Sequence, residues 1–228
     1  MKTRFTPLVL VVLSTLSSAA LLPAGDLSRY REFRLGSSLD ETAKQTGMES
    51  AAATVISSRP ARIEELDWRL SPSLSDMSRR DSVREIRFRF YQGALFEMMV
   101  VYDNDQTSGL TEADMTEAVS GVYGSASTPL KKEMIFNSGY TSTVRTVAQW
   151  RDPQSIVSLV CFPLGRGFGL IVSSATNGVL AERAITESER LDRVEAPQRA
   201  QEQRQKEAAD AQARDDKSRL VNKPGFRP

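Results

Sequence analysis

One order of helix and strand signals occurs twice along this chain of 228 residues. Ser38-Leu39-Asp40-Glu41 and Thr111-Glu112-Ala113-Asp114 both have the form of a capping box, in which a hydroxyl residue and an acid three positions later cap the start of a helix. Gly47 and Gly124 follow at positions where helices commonly end in a left-handed residue. The sequence therefore predicts two short helices, each with its own start and stop signals.

Three segments with the character of β-strands follow each predicted helix. They are Ile63–Leu70, Val83–Tyr91 and Leu95–Tyr102 in the first half, and Val144–Arg151, Ile156–Phe162 and Phe168–Ser173 in the second. In both halves the first strand ends in Trp-Arg, and a glycine-containing turn joins the last two strands. We interpret this recurrence as an internal duplication, with chance recurrence of a common helix–meander order as the alternative.

The predicted fold class is α+β, with two tandem units that each combine one helix with an antiparallel three-stranded sheet. The first unit is expected to span residues 27–103 and the second residues 104–176. Two strands, Leu95–Tyr102 and Ile156–Phe162, are more continuously apolar than the others. Because such strands are buried on both faces, we expect them to line the junction between the units.

Apolar and charged residues alternate along the first two strands, so they point to opposite faces of the sheet. The apolar set is Leu66, Trp68, Leu70, Ile86, Phe88 and Phe90, and the charged set is Glu65, Asp67, Arg69, Glu85, Arg87 and Arg89. This pattern predicts an antiparallel sheet with its helix on the apolar face. The arginines could form a binding stripe, but we favour cross-strand pairing of Arg87 and Arg89 with Glu65 and Asp67.

The first twenty residues have the order of a secretory signal peptide. Lys2 and Arg4 precede the apolar run Leu8–Leu16, and small residues follow from Ser17 to Ala20. A membrane span needs about 20 apolar residues, so a cleaved signal at residues 1–20 is favoured over an uncleaved anchor. We therefore expect a periplasmic or secreted protein with no integral membrane span after signal cleavage.

Composition bears on the chemistry available to the chain. It has no histidine, which is the commonest general acid or base and a frequent metal ligand. Cys161 is the only cysteine, so no disulfide can form within the chain, and we expect a buried free thiol. The formal net charge of +1 gives no electrostatic basis for nucleic-acid binding. These features favour a non-enzymatic protein.

Residues 103–114 carry a pattern similar to a calcium-binding loop. Asp103, Asp105, Thr107 and Asp114 occupy the first, third, fifth and twelfth positions, where such loops place oxygen ligands. The turn glycine is displaced to Gly109, the twelfth residue is not glutamate, and a strand rather than a helix precedes the loop. A polar strand-to-helix loop is therefore the alternative, and otherwise no cofactor is expected.

The C-terminal part has a different composition. Residues 177–197 are predicted to form a helix with an apolar face, and Pro197 is expected to break or kink it. Residues 198–228 form a charged tail that is either a solvated helix or disordered. Leu220 and Val221 lie near the end of this tail, which could dock on a partner or fold back on the rest of the protein.

Three family resemblances accompany these patterns. Phe33-Arg34-Leu35-Gly36-Ser37-Ser38, followed by a helix ending at Gly47 and a meander, resembles the module of SmpA-type outer-membrane assembly lipoproteins. Two such modules in tandem resemble the β-lactamase inhibitor protein, which implies a concave sheet surface for a protein target. The chain lacks the lipidation cysteine of the former and the disulfides of the latter. Residues 109–115 and 222–228 are similar to uncharacterised exported bacterial proteins, which implies compartment and fold.

These observations predict an exported, non-enzymatic envelope protein that acts as a protein-binding or assembly module through its sheet faces or its tail. Its partner is expected to be another envelope protein. One alternative is a small-molecule-binding protein or enzyme that uses a cleft between the two units. A calcium-stabilised module is the other alternative.

Overall fold

A computed structural model describes residues 25–69, 82–127, 133–137, 140–162 and 167–225, together with residue 227. The predicted signal peptide, residues 1–20, lies outside these ranges. The helices are α1 (Leu39–Thr46), α2 (Asn104–Thr107), α3 (Glu112–Tyr123) and α4 (Ala175–Asn222). The strands are β1 (Arg29–Tyr30), β2 (Phe33–Arg34), β3 (Thr54–Ser57), β4 (Ile63–Arg69), β5 (Val83–Tyr91), β6 (Ala94–Tyr102), β7 (Glu133–Asn137), β8 (Tyr140–Arg151), β9 (Ser155–Cys161) and β10 (Phe168–Ser174).

The main sheet contains eight strands in the order β3-β4-β5-β6-β10-β9-β8-β7, and each neighbouring pair is antiparallel. The predicted α+β class is confirmed, and a helix precedes a strand meander in each half. Each half contributes four strands rather than the three expected. The additional strands, β3 and β7, lie at the two edges, where a short strand needs little of the alternation that marks a half-buried strand.

The two halves meet through their last strands. β6 pairs with β10, with Val100 opposite Leu170 and Met98 opposite Val172. The strand β6 therefore lies at the junction as predicted, but its partner is β10 and not β9. Because the junction is a pair of hydrogen-bonded strands, the halves form one continuous sheet there and no cleft separates β6 from β10.

A shared apolar core covers one face of this sheet. Residues of α1 and α3, including Ala43 and Val119, belong to the same buried cluster as sheet residues of both halves. The N-terminal hairpin of β1 and β2 adds Phe33, whose ring centroid lies 4.7 Å from that of Phe88. Helices therefore cover the apolar face, as the alternation predicted.

The capping signals place α1 and α3 as expected. The backbone N–H of Glu41 donates to the Ser38 hydroxyl over 3.2 Å, and the Thr111–Asp114 capping box is complete. Gly47 ends α1 with φ of 72°, a left-handed conformation that favours glycine. Local signals were sufficient for these two helices because each is short and closed by its own caps.

The opposite face of the sheet carries the beginning of α4. Ala181 and Ala184 pack there against Ala61, Ile63 and Phe96. The helix then runs 48 residues in total and contains Pro197 within it. Of the break or kink expected at Pro197, the break is not present, because alanine, glutamine and charged residues favour helix strongly enough to continue it past the proline.

Candidate binding surface

Six charged side chains lie together on β4, β5 and β6, on the face of the sheet that α4 crosses. The strand register places Glu65 opposite Arg89, Asp67 opposite Arg87, and Arg89 opposite Glu97. Alternation puts these residues on the face away from the apolar core. The charged cluster is defined as Glu65, Asp67, Glu85, Arg87, Arg89 and Glu97. The face of the sheet that carries this cluster is called the charged face.

Arg87 lies between three carboxylates. Its Nε is 2.8 Å from Asp67 Oδ1 and 3.4 Å from Glu65 Oε1, and its Nη2 is 3.4 Å from Glu85 Oε1. The side chain is only 11% exposed. Burial lowers the pKa of Arg87, but the hydrogen bond to Asp67 and the three negative charges outweigh burial and raise it overall. Arg87 therefore stays charged and holds its neighbours in place.

Arg89 is the second buried cation of the cluster. Its Nη1 is 2.9 Å from Glu97 Oε1, and its guanidinium lies 5.3 Å from the centre of the Phe96 ring. The Nε atom is buried and lacks a hydrogen-bond acceptor among the described residues. Oε2 of Glu65 is 3.9 Å from this Nε, which is too far for a hydrogen bond.

Glu65 is shared by the two arginines. Burial, together with the negative charges of Asp67 and Glu97, raises the pKa of its carboxyl group, and these effects outweigh the positive charges of Arg87 and Arg89, which lower it. These contacts confirm the interpretation of the charged face as cross-strand ion pairs rather than a stripe of free arginines. At the β4 end, Asp67 and Arg69 are exposed, with 43% and 74% of their side-chain surface accessible.

A second set of ion pairs fixes the direction of α4. Arg59 binds both carboxylate oxygens of Glu195, at 3.1 and 2.6 Å, and lies 3.5 Å from Asp192. Arg199 also reaches Asp192, at 2.8 Å. Sequence reasoning missed this contact because Arg59 and Glu195 are 136 residues apart, and no local pattern relates residues at that separation.

We refer to the described residues 25–174, which hold the sheet and the first three helices, as the head. Beyond the contact with Arg59, α4 projects from the head. Residues 196–225 are all exposed. At 1.5 Å per residue, the part from residue 196 to Asn222 extends about 40 Å. We refer to residues 198–217 as the stalk and to residues 218–227 as the tip. The helix is thus anchored at its beginning and free of burial along its second half.

Two of the four candidate calcium ligands, Asp103 and Asp114, cap helices in the structure. Asp103 Oδ1 accepts hydrogen bonds from the backbone N–H of Asp105, at 2.9 Å, and of Gln106, at 3.3 Å. The Thr107 hydroxyl donates to the Asp103 carbonyl over 2.9 Å. Asp114 accepts from the Thr111 N–H and hydroxyl, both at 2.7 Å, and the bond from the hydroxyl is the main reason that its pKa is lowered.

Asp103 thus caps α2, and Asp114 belongs to the capping box of α3, whereas Asp105 contributes its backbone N–H and Thr107 bonds back to Asp103. Within the described ranges, no group of three or more His, Cys, Asp or Glu side chains is arranged to hold a metal ion. The capping contacts account for Asp103 and Asp114 without a bound ion. Calcium binding at Asp103, Asp105, Thr107 and Asp114 stays a prediction.

Cys161 is a free thiol at the end of β9 and is partly buried rather than fully buried. Its Sγ lies 3.7 Å from the carbonyl oxygen of Phe162. The strand alternation places it on the face that carries Val157 and Leu159, as expected from the sequence. These contacts describe a packing residue.

The fold and the surface define an α+β protein with a single large antiparallel sheet, a charged cluster on one face and a projecting helix. Comparisons of the chain with protein-family models, curated proteins and solved structures found no match. In the part of the chain that the structure covers, no helix has both the length and the apolar character of a membrane span. Its function is therefore inferred from its own residues.

Proposed function

We propose that this protein is an exported, non-enzymatic envelope protein that binds another protein through the charged face of its sheet. The single observation that carries the proposal is the form of α4. A helix that is anchored on the head and then exposed for about 40 Å adds nothing to a catalytic pocket or to the core. It is suited to a protein that joins two components at a fixed separation.

The charged face is favoured as the binding surface for three reasons. It lies beside the beginning of α4, it is the face that α1 and α3 leave uncovered, and its exposed Asp67 and Arg69 are held by ion pairs with Arg87 and Glu85. Side chains fixed before binding lose little conformational freedom on association. The exposed Asp67 and Arg69 at its edge provide charges of both signs, which would give a partner orientation and specificity.

The resemblance to tandem helix-plus-sheet modules supports the same proposal. An eight-stranded sheet built from two successive helix–meander halves is consistent with that architecture. The alternative of a small-molecule site in a cleft between the halves gains no support from the β6–β10 pairing.

Co-purification from an envelope extract tests the proposal. The full chain is compared with a D67R/R69E variant, which reverses two charges, keeps the net charge and also removes the pairs that Asp67 and Arg69 form with Arg87 and Glu85. The control is E187R/R190E, at the exposed Glu187–Arg190 pair of α4. The urea unfolding midpoint of each protein is measured, so that loss of fold is distinguished from loss of binding. We expect one partner to be recovered with the full chain and the control but depleted at least tenfold with D67R/R69E. Equal recovery with all three proteins would contradict a role for the charged face.

A further inference from the structure

The tip of α4 differs from the stalk in charge. The stalk carries five basic and five acidic residues and is neutral along its length. The tip contains Arg219, Lys223 and Arg227 and no acidic residue. Positive charge is therefore concentrated at the part of the helix that lies farthest from the head.

Apolar side chains accompany these cations. Leu220 and Val221 are 76% and 70% exposed, the two highest values among the exposed large apolar residues of the described chain. Arg219 and Lys223 are four residues apart and share one side of the helix, and the apolar pair lies beside them. A short segment in which exposed cations and exposed apolar side chains are neighbours is suited to the interface of a membrane.

We propose that the tip binds the surface of an anionic phospholipid membrane, so that the stalk holds the head at a distance from that membrane. Lysine and arginine side chains are attracted by anionic headgroups, and the exposed leucine and valine can enter the boundary of the acyl region. The neutral stalk would neither attract nor repel the surface. A nucleic acid would use the three cations but not the apolar pair, and it is therefore disfavoured.

This inference concerns a surface different from the charged face and does not depend on the proposed protein partner. If the stalk acts as a spacer between the membrane and the head, the membrane-binding residues have to lie at its far end rather than on the head. The attraction of each cation to an anionic surface corresponds to about a fivefold change in partition, so the three cations together contribute on the order of 100-fold.

Sedimentation with vesicles tests the inference on the full chain. The vesicles contain phosphatidylcholine alone or phosphatidylcholine with phosphatidylglycerol. The variants are R219Q/K223Q/R227Q in the tip, L220Q/V221Q in the tip, and R204Q/K206Q/R214Q in the stalk as a control with the same loss of charge. All four proteins share the same N-terminal residues, so any binding by that segment is common to them.

We expect the wild-type chain to bind the anionic vesicles and to be released as salt is raised. The triple tip variant should bind on the order of 100-fold more weakly, and L220Q/V221Q should bind at least fivefold more weakly. The stalk control should stay within about threefold of wild type, because positions 214 to 204 lie about 9–24 Å along the helix from Leu220, near or beyond the screening length of about 10 Å. Equal binding to neutral and anionic vesicles, or equal loss in the tip and stalk variants, would overturn the inference. Absence of vesicle binding by the wild-type chain would also overturn it.

Discussion

Three carboxylates of the charged cluster, those of Glu65, Asp67 and Glu85, have Arg87 as a shared partner. Removing the cation while keeping its length, in R87M, would leave three negative charges close together, two of them largely buried. Breaking a buried ion pair from one side typically costs about 3–5 kcal/mol. We expect R87M to lower the free energy of unfolding by about 3 kcal/mol, measured by urea denaturation.

The matched control for R87M is R190M, which removes an exposed arginine paired with Glu187 on α4. Exposed ion pairs contribute little to stability, because water and salt screen them. R190M should therefore leave the unfolding midpoint unchanged within error. If both variants were equally stable, the charged cluster would not be a rigid element of the fold.

Glu65 should respond to pH in the opposite direction to an exposed, salt-bridged acid. Burial raises its pKa above the ordinary value of 4.5, so the folded state binds a proton more readily than the unfolded state. The ionised form therefore costs stability, and this cost grows as pH rises from 4.5 through the raised value. E65Q mimics the protonated acid, and we expect it to be at least as stable as wild type at pH 7.

The difference in unfolding free energy between E65Q and wild type should shrink when both are measured near pH 4. Loss of stability in E65Q at pH 7 would show that attraction to Arg87 and Arg89 outweighs the effect of burial. The alternation of charges was enough to predict that Arg87 pairs with Asp67, but not that the close partner of Arg89 is Glu97. It gave no indication of how deeply Glu65 lies, because burial depends on what covers the strand.

At the scale of elements, α4 is the helix whose extent departs most from expectation. Pro197 removes one backbone donor and clashes with the preceding turn, at a cost of about 3 kcal/mol in a helix interior. P197A should therefore raise the helical signal in circular dichroism and slow amide exchange in residues 190–200. The control A208S, an exposed change in the stalk, should do neither. Unchanged exchange in P197A would contradict a continuous helix through this position.

Elements were predicted correctly where their sequence signals lie within a few residues of one another. The helices α1 and α3 were predicted because Ser38, Thr111 and the glycines that follow them act within a few residues. The edge strands β3 and β7 were missed because an edge strand pairs on one side only and shows weaker alternation. The continuity of α4 depended on a balance between one proline and many favourable residues, which a rule about proline alone does not weigh.

For the whole molecule, the shared sheet predicts that the two halves unfold together. Leu170 is 1% exposed at the junction, and its replacement by alanine should cost about 2–5 kcal/mol. Because β6 and β10 join the halves, L170A should speed amide exchange in both α1 and α3 by the same factor. An effect confined to α3 would indicate two independently stable units.

The α+β class and the repeated order of elements could be predicted from sequence, but the way the halves join could not. The choice of β10 rather than β9 as the partner of β6 is a pairing between distant segments, and alternation within each strand is equally compatible with both. The contact of Arg59 with Glu195 of α4 could not be predicted for the same reason, because it joins segments that are far apart in the sequence. The candidate calcium ligands illustrate a different difficulty. The same spacing of oxygen-bearing residues is compatible with a metal site and with helix caps, and the sequence does not distinguish them.

Site-specific photo-crosslinking in intact cells tests protein binding by the charged face most directly. The crosslinking residue is placed at Arg69, on the charged face, or at Glu117, an exposed position on α3 on the opposite side of the sheet. We predict a crosslinked product of one defined mass from position 69, located in the cell envelope, and none from position 117. No product at position 69, or the same products at both positions, would contradict the proposal.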